Sequence, residues 1–197
     1  MKGELWVCAF LLGGCVAGGA PLAQSGTAEP CGRSVAGDVA TARARLDAGR
    51  TGDALLYVEG LAACPEAMGS ARFLQVALDV YEEAGRLNEA FSAGIVAQEL
   101  LAAEDPARAR LAERLGSFPQ RYALLTSPRD GRSGPELEFA GPIEDAATQG
   151  QVEAVRAGRG VTMPDGTRGY WLLPGSYRLA GQALTLRAGD RALDPRP

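Results

Sequence analysis

Apolar residues between positions 35 and 115 recur at the spacing of helix faces, which argues against an all-β fold for this chain of 197 residues. The first set occupies i, i+4, i+7 and i+11, as Val35, Val39, Ala42 and Leu46. Further helices are predicted from Asp53 to Ala63, from about Ser70 to Ala84, from an N-cap at Asn88, and from a cap at Asp105 followed by Pro106. This half of the chain is therefore expected to contain five helices.

Part of the helical pattern repeats along the chain. The segment LDAGRTGDAL at Leu46–Leu55 aligns with EEAGRLNEAF at Glu82–Phe91, 36 positions later. The pattern resembles the tetratricopeptide repeat, in which a tight turn joins two antiparallel helices that pack closely. The resemblance implies a concave surface for peptide segments of partner proteins, and a generic helical bundle without a groove is the alternative. Because about three repeats are needed for a stable array, the fifth helix or the carboxyl-terminal half is expected to cover the open end.

The pattern changes after Phe118-Pro119, where helical periodicity stops and short runs of β-forming residues alternate with Gly and Pro. Strands are predicted at Tyr122–Leu125, Leu137–Phe139, Tyr170–Leu173, Ser176–Leu179 and Leu184–Arg187. Turns are predicted at Met163–Thr167 and at Pro174-Gly175, which fits the centre of a type II turn. These features predict a small antiparallel β-sandwich or meander with one buried face.

The string GYWLLPGSYRL at Gly169–Leu179 resembles the strand, turn and strand of PEGA-type and related small β-sandwich modules of bacterial envelope proteins. The resemblance implies a surface attachment or interaction unit rather than an enzyme. Three aromatic residues lie in the string: Tyr170, Trp171 and Tyr177. Aromatic residues of a small sandwich usually fill its core, and the other interpretation is that they stack on a sugar.

The amino terminus has the organisation of a secretion signal. Lys2 supplies a positive charge, and Leu5–Leu12 is a compact apolar run of eight residues. Glycine and proline then interrupt the sequence at Gly13, Gly14, Gly18, Gly19 and Pro21. Because a transmembrane helix needs about 20 predominantly apolar residues, we expect an exported chain, with an uncleaved anchor as the alternative.

The residues Leu12-Gly13-Gly14-Cys15 resemble the lipobox of bacterial lipoproteins, in which the cysteine is lipidated and becomes the new amino terminus. The resemblance implies that Cys15 carries acyl chains that hold the protein at a membrane. Cleavage after Ala20 or Ala23 is the alternative and would give a secreted protein. Residues 1–23 are therefore assigned to signal peptide and tether.

Two cysteines remain if Cys8 is removed with the signal and Cys15 is lipidated, namely Cys31 and Cys64. In an oxidising compartment this pair is expected to form a disulfide, which would stabilise the fold by roughly 3–4 kcal/mol in the chain-entropy model. Two unpaired buried thiols are the alternative. The absence of a C-x-x-C spacing removes support for a thioredoxin-like redox role.

Composition excludes the commonest catalytic constellations. The chain has no histidine and its only lysine is Lys2, so Ser-His-Asp triads, His-ligated zinc sites and P-loop nucleotide sites are excluded. The adjacent carboxylates at Glu82-Glu83, Glu104-Asp105 and Glu144-Asp145 carry no mark of catalysis, and a hydrolase that uses carboxylates alone is the remaining enzymatic alternative. A net charge of −4 without a dense basic patch argues against nucleic acid as a partner.

These inferences combine into one prediction. We expect an α+β protein with a signal and tether at 1–23, a helical domain resembling tetratricopeptide repeats at 24–118 and a small β-rich domain at 119–197. Its predicted role is a lipid-anchored envelope protein that acts as a non-catalytic interaction or assembly module, without cofactor, metal or nucleic acid. The predicted location is the cell envelope, in the periplasm or at the outer membrane, and the alternative role is an envelope polysaccharide-binding module.

Overall fold

The computed structural model describes residues 31, 34–128, 134–141, 146–163 and 165–194. Over these ranges the protein has an α+β fold, with seven helices in the N-terminal part and two small, mostly antiparallel sheets after them. The predicted secretion signal and Cys15 lie outside the described residues. None of the helices in these ranges has the length and apolar character needed to span a membrane.

The first seven helices are α1 (Val35–Asp47), α2 (Thr51–Ala62), α3 (Pro65–Met68), α4 (Ala71–Glu83), α5 (Leu87–Leu100), α6 (Pro106–Gly116) and α7 (Phe118–Arg121). All five helices predicted from apolar spacing are present, and the two four-residue helices α3 and α7 are additional. Asp105 caps α6 as predicted, because its carboxylate accepts a hydrogen bond from the backbone N–H of Ala107 at 2.8 Å. Pro106 occupies the first helical position, where a missing N–H costs nothing.

The turn between α1 and α2 and the turn between α4 and α5 have the same backbone geometry. Gly49 and Gly85 both adopt a φ of 71°. The next residue in each turn, Arg50 or Arg86, donates its backbone N–H to the carbonyl five residues earlier, at 2.9 and 2.8 Å. This is the Schellman helix end, which favours glycine at the left-handed position. The sequence repeat therefore corresponds to two helix pairs, α1–α2 and α4–α5, that are closed in the same way.

Asn88 is not the N-cap of α5, so that prediction is wrong. The chain leaves the Gly85 turn directly into the helix, which makes Arg86 the N-cap and places Asn88 in the first helical turn. The Asn88 side chain is buried, and its amide oxygen accepts a hydrogen bond from the backbone N–H of Trp171 at 2.7 Å. The amide thus connects the helix to a strand instead of capping the helix.

The strands are β1 (Ala123–Ser127), β2 (Leu137–Phe139), β3 (Val161–Thr162), β4 (Arg168–Leu172), β5 (Gly175–Leu179), β6 (Gln182–Leu186) and β7 (Arg191–Leu193). The first sheet has the order β3-β4-β1-β7, and only the β1–β7 pair is parallel. The second sheet has the antiparallel order β2-β5-β6. The turn predicted at Met163–Thr167 is confirmed by the φ of 84° at Gly166 and by its N–H, which donates to the Met163 carbonyl at 2.9 Å.

The type II turn predicted at Pro174-Gly175 does not form. β4 pairs with β1 in the first sheet, whereas β5 pairs with β2 and β6 in the second, so the chain crosses between sheets at this point. Gly175 begins β5 without a positive φ. The hairpin lies one strand later, between β5 and β6, where Ala180 and Gly181 have φ values of 49° and 79°. The predicted meander is therefore wrong for β4–β5, and the β5–β6 pairing is confirmed.

Helix α8 (Ala146–Arg156) lies between β2 and β3 along the chain. The expectation that helical periodicity stops at Phe118-Pro119 is therefore wrong. The buried apolar side chains described in this helix are only Val152, Ala154 and Val155, all near its end. Three residues do not define a helix face over several turns, which explains why apolar spacing did not reveal α8.

The hydrophobic core continues from the helices into the first sheet. Leu124, Val161 and Trp171 belong to the same buried cluster as the apolar faces of α1, α2, α4, α5 and α6. The neighbours of Leu124 along β1, Ala123 and Leu125, belong to a second cluster with α8 and the second sheet. Because successive strand residues point to opposite faces, the first sheet separates these two clusters. The helices and the strands are thus packed around shared apolar layers.

Candidate functional site

The two cysteines predicted to pair are brought together. Cys31 and Cys64 form a disulfide with their Cα atoms 5.8 Å apart, and Cys64 is the buried residue that precedes α3. One carboxylate oxygen of Glu66 lies within 4.8 Å of both sulfur atoms. This is a donor set for a metal only when both sulfurs are free thiolates, and the disulfide removes them. The pair therefore acts as a covalent link between the segment before α1 and the end of α2.

The aromatic residues of the string Gly169–Leu179 are core residues. Tyr170, Trp171 and Tyr177 are all buried. Trp171 packs against the rings of Phe91 and Phe118, with centroids 5.3 and 5.7 Å apart. None of the three presents an open ring face on which a sugar could stack. The polysaccharide interpretation consequently loses the residues that motivated it.

A network of polar side chains crosses the helical part at α4. Its members, called here the α4 network, are Arg43, Asp79, Glu82, Arg114, Arg121 and Tyr122. Asp79 binds Arg43 of α1 at 2.6 Å and is also paired with Arg114 of α6. Glu82 binds Arg114 at 2.6 Å, accepts a hydrogen bond from the Tyr122 hydroxyl at 2.5 Å, and is paired with Arg121. Helix α4 is thereby connected to α1 on one side and to α6 and α7 on the other.

The repeat explains the order of charges in this network. Arg43 and Asp79 occupy equivalent positions of α1 and α4, 36 residues apart. Arg114 follows Asp79 by 35 residues and lies in α6. Helices α1, α4 and α6 thus carry a positive, a negative and a positive charge, and Asp79 of α4 compensates both arginines. The pair of Asp79 with half-exposed Arg43 is expected to add little stability, because solvent screens the attraction between exposed charges.

Glu82 is the most buried acid of the α4 network. Burial opposes its ionisation, but the hydrogen bonds from Tyr122 and Arg114 and the charges of Arg114 and Arg121 outweigh burial and lower the pKa of Glu82. Burial and the same carboxylate raise the pKa of Tyr122. At neutral pH Glu82 is therefore an anion and Tyr122 a neutral hydrogen-bond donor. Neither group is poised to exchange a proton near pH 7, as a general acid or base would be.

The other carboxylates considered from the sequence do not converge on Glu82 in the described part of the chain. Glu83 and Glu104 are exposed, and Asp105 caps α6. Glu144 and Asp145 lie outside the described residues. Glu82 thus connects helices within the α4 network, whereas Glu83 lies at the surface.

Helix α8 and β4 cover the turn of the second helix pair. Arg86 is paired with Glu59 and binds Glu89 at 3.0 Å, and Arg159, just beyond α8, reaches Glu89 at 3.5 Å. A Cβ atom built on Gly85 would lie 2.3 Å from the carbonyl oxygen of Ala147 in α8. The turn is therefore enclosed by charged partners on one side and by backbone on the other.

Two buried amide side chains also bond helices to the chain of the sheets. The sequence pattern identified neither of them as a buried hydrogen-bonding group. Asn88 bonds β4 as described above, and Gln151 of α8 is also buried. The Gln151 amide oxygen accepts the N–H of Leu173 at 2.7 Å, and its amide nitrogen donates to the Tyr177 hydroxyl at 2.8 Å. At Asn88 the sequence offered one indication, a polar residue flanked by matched positions of the repeat. Gln151 lies in a segment for which no helix was predicted.

No family model, no curated protein and no solved structure matches this chain. A function must therefore be argued from its own residues and from the two helix pairs that they form.

Proposed function

We propose that this protein is an exported envelope protein, anchored by lipid at Cys15, that acts as a non-catalytic protein-interaction or assembly module. The observation that carries the proposal is the internal repeat, in which two helix pairs share one turn geometry 36 residues apart. Repeated helix pairs stack into extended arrays whose surfaces bind other chains. We place the two pairs with the tetratricopeptide-like hairpins on this basis.

The packing around the second pair supports the same assignment. Helix α6 seats Leu115 on Gly94 of α5, where a Cβ atom would lie 2.8 Å from a Leu115 methyl. The first sheet contacts α5 as well, through Asn88 and Phe91. The repeat array is thus closed at one end by α6 and the sheet, as a short array requires. We regard the two sheets, with apolar residues facing each other between them, as the small β-sandwich.

The absence of catalysis is inferred from charge compensation. The buried carboxylate of the α4 network is held ionised by arginines and a tyrosine hydroxyl. Enzymes that use carboxylates as acids need one with a raised pKa. Among the described carboxylates with a resolved change, Glu82 and Asp165, both pKa values are lowered. Glu82 therefore holds helices together and Asp165 stabilises a turn, and both are better suited to these roles than to proton transfer.

Export is supported by the amino-terminal sequence and by the cysteine pair. Disulfides form and persist in oxidising compartments, and Cys31 and Cys64 are positioned for one. The leader at Leu5–Leu12 and the Cys15 motif then account for the two remaining cysteines of the chain.

One experiment tests the location and the anchoring together. The full chain, tagged at its carboxyl terminus, is expressed in its native host, and the mature product is analysed by intact mass spectrometry and membrane fractionation. The expected product begins at Cys15, carries acyl chains and sediments with membranes. The Cys15→Ala variant is expected to lose the acyl mass and the membrane association, whereas Cys8→Ala is the matched control and is expected to change neither.

The interaction role is tested on the same material. Chemical cross-linking in intact cells, followed by purification through the tag, is expected to recover the same envelope protein in repeated preparations. Surface substitutions on the helix pairs are expected to reduce that yield. Native protein with Met1 intact in the cytosolic fraction would overturn the export assignment, and reproducible recovery of the protein alone would overturn the interaction role.

A further inference from the structure

The two helix pairs differ in what covers them, although their turns are the same. In the second pair, α8 approaches Gly85, Arg159 approaches Glu89, and β4 bonds Asn88. The equivalent positions of the first pair are Gly49, Asp53 and Gly52, and a Cβ atom added at either glycine would meet none of the described residues within 4 Å. The repeat therefore allows one surface to be compared in a covered and an uncovered state within one chain.

Exposure of the matched side chains shows the size of this difference. The Arg50 side chain is 53% exposed against 14% for Arg86, and Asp53 is 53% exposed against 10% for Glu89. Leu56, equivalent to the partly covered Ser92, is 69% exposed. We call this surface the pair-one face. It consists of Gly49, Arg50, Gly52, Asp53, Leu56 and Gly60.

The pair-one face has the features of a contact surface. Leu56 is a large apolar side chain on the outside of α2, with Gly52 and Gly60 one helical turn before and after it. A Cβ atom at Gly60 would also meet nothing within 4 Å among the residues that the structure describes, which leaves the backbone on both sides of Leu56 open to another chain there. In the second pair, Asn88 at the equivalent of Gly52 bonds the backbone of Trp171 in β4, and Val96 at the equivalent of Gly60 packs against the apolar cluster that contains Trp171, which indicates what kind of surface fits here.

Charge indicates the chemistry of the missing partner. Asp53 lies near Arg50 at 3.9 Å, as Glu89 lies near Arg86, but Glu89 has the second cation Arg159. No ion pair of the described residues gives Asp53 a cation other than Arg50. We propose that the pair-one face binds a segment of another protein that presents an arginine to Asp53 and an apolar or aromatic side chain to Leu56. The partner would thus reproduce what Arg159 and β4 supply to the second pair.

A second copy of this chain fits the same face less well. A two-fold axis through Leu56 with antiparallel helices places residue 53 of one copy opposite residue 59 of the other. Both positions are acidic, as Asp53 and Glu59, and the Glu59 carboxylate is already paired with Arg86. A second copy in this arrangement therefore offers Asp53 another acid in place of an unpaired arginine. Charge therefore favours a different, arginine-bearing chain.

This inference rests on the proposed interaction function, and site-specific photocross-linking separates the two. The photoreactive residue p-benzoylphenylalanine is placed in the full-length protein in its native host, in three single variants: Leu56 on the pair-one face, Arg72 on α4, and Ile95 on α5. The Ile95 site is the matched control, since it is an exposed apolar residue of the second pair. Cross-linked peptides are then identified by mass spectrometry.

The expected result is an adduct at Leu56 whose partner peptide contains an arginine close to the cross-linked residue. Adding Asp53→Arg is expected to reduce that adduct by about tenfold, because it replaces an attraction by a repulsion. Glu99→Arg makes the same charge change on an exposed part of α5 and is expected to leave the adduct unchanged. Thermal unfolding of the Asp53→Arg protein verifies that this exposed substitution preserves the fold.

Each other outcome overturns the inference in a recognisable way. An adduct at Leu56 with a second copy of the chain, or one that Asp53→Arg leaves intact, contradicts the proposed partner chemistry. Adducts at Arg72 or Ile95 without one at Leu56 move the interaction to another surface and leave the interaction function standing. Failure at all three sites overturns the pair-one face, and the interaction function falls with it when the chemical cross-linking described above also recovers no partner.

Discussion

Replacement of Gly85 and Gly49 by alanine is a matched test of how the carboxyl-terminal half is packed on the helices. Both glycines have a φ of 71° and end a helix with the same hydrogen bonds. In both variants the left-handed conformation costs about 1–2 kcal/mol for an L-residue. The lower chain entropy of the unfolded alanine variant offsets about 0.4–1 kcal/mol of that cost. Gly49→Ala is therefore expected to destabilise the protein by about 1 kcal/mol.

Gly85→Ala carries a second cost that Gly49→Ala lacks. Its Cβ atom would lie 2.3 Å from the Ala147 carbonyl oxygen and 2.6 Å from the carbonyl carbon, both atoms of the α8 backbone. No side-chain rotation relieves that contact, so α8 has to move. Overpacking of this kind costs typically about 1–3 kcal/mol. The variant is consequently expected to lose about 2–4 kcal/mol in total, or about 5–15 °C in melting temperature at about 2–4 °C per kcal/mol.

The assay is urea-induced unfolding of the oxidised protein, followed by circular dichroism and by tryptophan fluorescence. Trp171 lies between the helices and the first sheet, so its fluorescence reports on this packing. A low-urea phase in the Gly85→Ala fluorescence, absent from Gly49→Ala, would identify separation of the first sheet from the helices before the helices unfold. Equal destabilisation by the two substitutions would refute the close approach of α8 to the Gly85 turn.

Three further substitutions test the buried polar contacts and the disulfide. Glu82→Gln is expected to lower the free energy of unfolding by about 2–3 kcal/mol at neutral pH. Since the folded protein lowers the pKa of Glu82, the stability that its carboxylate contributes falls as the pH drops below about 5. A difference in stability from the parent that stays constant down to about pH 3 would contradict this. Asn88→Ala leaves the buried N–H of Trp171 without its acceptor, so we expect the free energy of unfolding to fall by about 1–3 kcal/mol and that amide to exchange its hydrogen faster. An unchanged exchange rate would argue against the hydrogen bond. Cys64→Ser is expected to lower the free energy of unfolding by about 2–4 kcal/mol and to unfold at the same urea concentration as the reduced parent protein. A parent protein whose urea midpoint does not change on reduction would argue against the disulfide to Cys31.

Local signals in the sequence were sufficient for most of the helical part. Apolar spacing located α1, α2, α4, α5 and α6, and Asp105-Pro106 marked the start of α6 because a cap and an N1 proline act within one turn. The Cys31–Cys64 disulfide was predicted by cysteine counting once Cys8 and Cys15 were assigned to the leader and tether. These features depend on residues close together in the chain or on a small number of possible pairings.

The misplaced features depend on contacts between distant segments. Asn88 has the chemistry of an N-cap, but the buried N–H of Trp171, 83 residues away, uses its amide oxygen. Pro174-Gly175 has the composition of a turn, but the residues on either side are held by different sheets. A propensity describes what a segment can do alone, whereas pairing with a distant strand decides what it does in the fold. The same limit applies to the α4 network, whose ion pairs join residues that are 32 to 39 positions apart in sequence.

The sequence Ala-Gly-Arg illustrates how one local structure acquires different roles from its surroundings. It ends α1 at Gly49, α4 at Gly85 and α8 at Gly158. In this third copy, Gly158 has a φ of 69°, and the backbone N–H of Arg159 donates to the carbonyl five residues earlier at 2.9 Å. The third copy delivers Arg159 to Glu89 beside the second copy, so two of the three helix ends cover each other. The first copy meets no such partner in the described part of the chain, and its arginine and acid stay exposed. Because the turn itself is the same in all three, the copy on α1–α2, uncovered within the described residues, is the one for which we propose a partner chain.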